Sequence, residues 1–120
     1  MAVSNIPVLS SAALFQDTDC ANAAVSIKAS SAVLYEVEID NTANAAATYV
    51  KFWNTAQGSV TVGTTAPDMV LMCPASVKRS WVMPDGITFG TALTVAAVTG
   101  AGTAGTTSPT SDATVKAVYV

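Results

Sequence analysis

Histidine is absent from this 120-residue chain, and charge of either sign is scarce: five Lys and Arg against eight Asp and Glu, 11% of the residues. The missing histidine removes the usual general base, the usual metal ligand and any Ser/His/Asp arrangement together. Lys28, Lys51, Lys78, Arg79 and Lys116 are dispersed along the chain. Phosphate binding needs clustered cations, so no direct nucleic-acid partner is expected. No apolar run approaches the roughly 20 residues of a membrane-spanning helix, and no membrane partner is expected. There are two cysteines, Cys20 and Cys73, with no pair at ligand spacing. Neither a metal nor a cofactor is expected. Two reduced thiols acting as small apolar residues are favoured over one long-range disulfide.

Hydrophobic residues make up 51% of the chain. With charge well below the usual quarter, its surface must be Thr, Ser, Asn and Ala. Two explanations compete. The surface is buried against partners, where charge is depleted, or the domain is polar but neutral. The start, Met1-Ala-Val-Ser-Asn-Ile-Pro-Val-Leu9, lacks a basic region followed by a continuous apolar one. It is not expected to be a signal peptide, which points to synthesis in a cytoplasm.

Period two dominates from residue 24 onward. Val25, Ile27 and Ala29 alternate with Ser26 and Lys28. In Val33-Leu-Tyr-Glu-Val-Glu-Ile-Asp40 the alternation puts Tyr35, Val37 and Ile39 on the core face, with Leu34, Glu36, Glu38 and Asp40 opposite. Thr48–Asn54 is a third strand, with Val50 and Phe52 on one face and Tyr49, Lys51 and Trp53 on the other. Val60–Val62, Met69–Cys73, Ser76–Met83, Ile87–Phe89, the stretch from Leu93 and Ala113–Val120 read as further strands. Pro84-Asp-Gly86 reads as a tight turn. These signals predict an all-β fold: an antiparallel β-sandwich of jelly-roll type with about eight strands. Residues 23–120 form the sandwich domain. Residues 1–22 form an irregular N-terminal arm or edge segment.

Three features invite a chemical reading. Glu36 and Glu38 share a strand face about 7 Å apart, a spacing that suits glycoside hydrolysis and equally suits any solvated strand. Gly100-Ala-Gly102-Thr-Ala-Gly105 matches G-x-G-x-x-G, but Pro109 blocks the helix that dinucleotide binding requires. The 100–112 loop reads either as a mobile connection over the top of the sandwich or, since small residues allow close backbone approach, as a loop that orders against a neighbour. Trp53, Trp81 and Tyr49 are aromatics that could stack a sugar or pack a core or interface. Enzymatic activity is not expected.

Leu34-Tyr-Glu-Val-Glu-Ile-Asp-Asn-Thr-Ala-Asn-Ala-Ala-Ala-Thr-Tyr-Val-Lys-Phe-Trp-Asn54 resembles small virion structural proteins of tailed bacteriophages, cyanophages among them. Val62–Leu71, the Gly86–Phe89 strand and the closing Thr99–Thr110 segment resemble them also, so the similarity spans roughly residues 30–120. The resemblance implies a β-sandwich that assembles on a phage particle. The expectation is a capsid cement, or decoration, protein. It would bind the major capsid protein on the outer surface of the shell as a homo-oligomer, with a trimer favoured. The alternative is a tail, neck or baseplate component, including one that recognises glycans. Candidate interface residues are Ile6, Val8, Leu9 and Phe15 on the arm, Tyr49 and Trp53 on the wet face, and Gly100, Gly102 and Gly105 in the loop.

Overall fold

The computed structural model describes residues 11–120. Ile6, Val8 and Leu9 lie outside the described residues. Eight strands run β1 (Ala13–Asp17), β2 (Val25–Lys28), β3 (Ala32–Asp40), β4 (Thr48–Trp53), β5 (Met69–Cys73), β6 (Lys78–Phe89), β7 (Leu93–Val98) and β8 (Thr114–Tyr119). They form two four-stranded antiparallel sheets, ordered β1-β8-β3-β6 and β2-β7-β4-β5. Pairing is nested: first strand with last, second with seventh, third with sixth, fourth with fifth. Each sheet therefore joins segments distant in the chain, and the sheets pack face to face as a sandwich.

The core lies between them. Leu34, Val37 and Ile39 of β3 and Val115 and Ala117 of β8 face Val50 and Phe52 of β4 and Leu93, Val95 and Ala97 of β7. All are buried, and a buried aliphatic or aromatic side chain contributes roughly 1.5–3 kcal/mol. β7 is buried along its whole length, on both faces.

The phase of β3 differs from the sequence expectation. Leu34 is in the core and Tyr35 is not, because the register shifts between Leu34 and Glu36. Tyr35 is an extra residue on that strand, so Tyr35 and Glu36 both fall outside the core alternation. A second correction follows from the same place. Pro84-Asp-Gly86 does not reverse the chain. Leu34 pairs with Ile87 and Glu36 with Val82, so residues 83–86 swell out of β6 opposite Tyr35, and the strand resumes beyond them. An edge strand tolerates Pro84, whose missing N–H costs no ladder bond there. Gly86 has φ 73°, and a side chain on it would run into Val33 and Tyr35. Val60–Val62 is no strand. A single 3-10 turn at Gln57–Ser59 and a loop occupy that stretch.

Candidate functional site

The outer face of the β2-β7-β4-β5 sheet is closed by the chain itself. Trp53, 1% exposed, donates its indole N–H to the Thr65 carbonyl at 3.0 Å, so the loop between β4 and β5 lies over it. Lys51 is buried beside it. Its Nζ donates to the carbonyls of Gly102 at 2.6 Å and Gly105 at 3.2 Å, and burial pushes its amine below the ordinary lysine range. The loop between β7 and β8 is thus seated on its own sheet. Asn22 holds it by bonds to Thr106 and Ser108, and Asn44 by bonds to Ser111. A side chain on Gly105 would stand 2.7 Å from the Gly100 carbonyl, so these two glycines let one part of the loop touch another.

The interface candidates therefore separate. Trp53 is interior, and Gly100, Gly102 and Gly105 serve contacts within the chain. Phe15 packs against the core from β1. Its neighbour Leu14, 61% exposed, projects outward. Tyr49 is half-buried, between Val98 of β7 and Met72 of β5 in register.

The flank where β5 and β6 form the two free edges is different. A four-residue link, 74–77, joins these strands, which places both edges on one side of the sandwich. Val70 and Met72 project from the outer face of one sheet, Val82 from the outer face of the other opposite Glu36, and Val77 and Ile87 lie on the link and on β6; all five are exposed. Met69, Leu71, Trp81 and Met83 fill the gap behind them, half-buried against the core. Arg79 crosses this opening, and its Nη1 donates to the Met72 carbonyl at 3.3 Å. Methionine adapts its shape to a partner, and this flank carries three of the chain's four methionines. None of these exposed residues was singled out from the sequence as an interface. The charge-free run Met69–Cys73 was the available signal, but sheet order alone tells that it is an edge.

The ion pairs of the described residues lie on the outer face of the other sheet. Glu38 lies between Lys78 at 4.0 Å and Lys116 at 3.9 Å, and Asp40 is 4.0 Å from Lys78. The Thr42 hydroxyl and amide hold the Asp40 carboxyl below its ordinary range. The like charge of Asp112 raises Asp19. Among the described residues no His, Cys, Asp or Glu cluster could hold a metal ion. A half-open cleft of about 270 Å³ lies between Ala43–Ala46 and Pro109–Ser111, lined by small neutral side chains.

Cys20 and Cys73 are free and buried. Burial, then the nearby Asp17 and Asp19, pushes the Cys20 thiol up to about 12. A thiol whose folded value lies above its unfolded one stabilises the fold fully below the unfolded value and loses that share as pH rises through the folded one. Stability should therefore fall from about pH 9 toward pH 12, by about 1.4 kcal/mol per pH unit from this group. Cys73, pushed up by burial, acts in the same direction. Lys51, pushed down, opposes them as pH approaches its unfolded value. Urea midpoints at pH 8 and pH 10.5 should differ clearly in the wild type and less in Cys20→Ala. Equal slopes in the two proteins would refute this assignment.

Comparisons with protein families, with curated proteins and with solved structures found no match for this chain.

Proposed function

We propose that this chain is a structural protein of a phage particle, acting as a cement on the outer surface of the assembled shell. We read its nested strand pairing as a jelly roll. The observation that carries the proposal is the row of exposed apolar side chains along β5, β6 and their link, on a sandwich whose buried polar side chains, among the described residues, all have hydrogen-bond partners. A surface of this kind suits contact with protein. The scarcity of charge fits burial in such contacts, and the acidic balance is unsuited to touching packaged DNA. The resemblance of residues 30–120 to small phage virion proteins supplies the particle.

The mechanism is mass action. A protein that binds the assembled lattice and not its free subunits shifts the equilibrium away from disassembly. Particles made without this chain should release their DNA at lower temperature than complete ones. Equal resistance to heat would overturn the cement role. The tail, neck or baseplate alternative uses the same flank, and copy number separates the two: hundreds per particle for a shell protein, a few to a few dozen for the alternative. Glycan recognition through Trp53 is disfavoured, since its ring is interior and its N–H is already bonded.

A further inference from the structure

We propose that β5 is a pairing edge for a second copy of this chain, joined antiparallel about a twofold axis at Leu71. The inference does not rest on the particle reading; it gives the β5 edge to the second copy and leaves the exposed residues of β6 and of the 74–77 link to other partners.

Four strands end sheets here, and three carry the features that discourage edge pairing. β1 holds Asp17, β2 has four residues with Lys28 and a register break, and β6 has Lys78, Arg79, Pro84 and a bulge. β5 has none of these. Met69-Val-Leu-Met-Cys73 bears no charge and no proline, and it pairs with β4 without interruption.

The backbone parity is readable. The Phe52 carbonyl accepts from Asp68, so the even-numbered residues of β4 turn their backbone toward β5. Their register partners are Met69, Leu71 and Cys73. The N–H and C=O of Val70 and Met72 therefore face the free edge, and the Met72 carbonyl meets Arg79 there. That bond is exposed, and a carbonyl has a second lone pair, so Arg79 does not bar a ladder.

With the axis at Leu71, Val70 falls opposite the partner's Met72, and Met72 opposite the partner's Val70. Both edge-facing donors and both acceptors of each copy are then used. Val70 and Met72, 37% and 39% exposed, cover one another across the junction. No like charges meet along these five residues, which is why the second copy suits this edge. The ladder is short beside the roughly 800 Å² per partner of a standard interface, so the pair should dissociate on dilution.

Sedimentation over a concentration series should show a species of twice the 12.1 kDa chain mass that falls apart as the protein is diluted. Met72→Pro removes an N–H that the β4 ladder does not use, so the monomer should keep its fold while the dissociation constant rises about tenfold or more. Should that variant fail to fold, register still tests the proposal. Val70→Cys chains mixed with Met72→Cys chains should be joined by a disulfide on mild oxidation, since those positions are directly opposite, and each alone should be joined far less, since like positions are diagonal and roughly 7–8 Å apart. A monomer at every concentration, a trimer indifferent to Met72→Pro, or equal cross-linking of the single variants with themselves would each overturn the pairing.

Discussion

Replacing Trp53 with alanine should lower the unfolding free energy by about 3–5 kcal/mol, the cost typical of a large aromatic removed from a packed interior. Trp53 is the largest fully buried side chain of the described residues. It stands on the outer face of its sheet and is buried nonetheless, because the loop between β4 and β5 folds over it and Thr65 accepts its N–H. The loss has two parts, a cavity and an untied loop. Trp53→Phe separates them: most of the apolar contact returns, and the hydrogen bond, worth about 1 kcal/mol, does not. Urea unfolding of the two variants beside the wild type measures both. A change below about 1 kcal/mol in Trp53→Ala would show that the loop does not hold the ring in place. That outcome would reopen Trp53 as a surface aromatic.

Asn41→Leu should be nearly as damaging, at about 2–4 kcal/mol, through polar groups left without partners. The Asn41 amide donates to the carbonyls of Ala46 at 2.9 Å, Pro74 at 2.9 Å and Cys73 at 3.3 Å, and its Oδ1 accepts from the Thr48 hydroxyl at 2.7 Å. Its backbone N–H donates to Val77, and its carbonyl accepts from Asn44. One buried side chain thus ties the β3–β4 loop to the link between β5 and β6. Leucine matches the volume and takes the amide away from the Ala46 and Pro74 carbonyls and from the Thr48 hydroxyl. Asn41→Asp keeps the acceptor but sets a carboxylate against those carbonyls, and should be worse. Thermal unfolding ranks the three proteins. Hydrogen exchange at the Ser76 amide, which donates to the Asn44 carbonyl, should quicken in both variants, since that link loses its anchor. An Asn41→Leu protein as stable as the wild type would mean that water replaces the amide at little cost.

The sandwich was legible because alternation is local. Val25 and Ile27 of β2, and Val50 and Phe52 of β4, fall on every second position, and all four pack in or against the core. Where the reading erred, the cause was not local. Tyr35 becomes an extra residue only because β6 on one side and β8 on the other both pair across it. Pro84-Asp-Gly86 carries turn chemistry, yet the ladder to β3 continues beyond it and turns the signal into a bulge.

The candidate site was less legible for the same reason. Lys51 stands on a strand face expected to be covered by the fold or by a partner, and it is a loop some 50 residues away in the same chain that covers it and supplies carbonyls for its amine. The glycines of that loop mark a close backbone approach, but sequence cannot tell whether the neighbour is another molecule or the same one. Leu14 and Phe15 are adjacent and apolar, and strand geometry must send them to opposite faces. Which one reaches the core depends on the pairing of β1 with β8.

What the residues determined unaided is the class of molecule: strands from the twofold period, a charge-poor surface from composition, and no histidine chemistry from a missing residue type. Tertiary structure alone decided which strands are edges, which aromatic faces are covered by loops, and where apolar surface stays open. Period two is a property of neighbours along the chain. An edge or a cover is made by segments far apart in it, and only closing those long loops reveals which side chains remain in water.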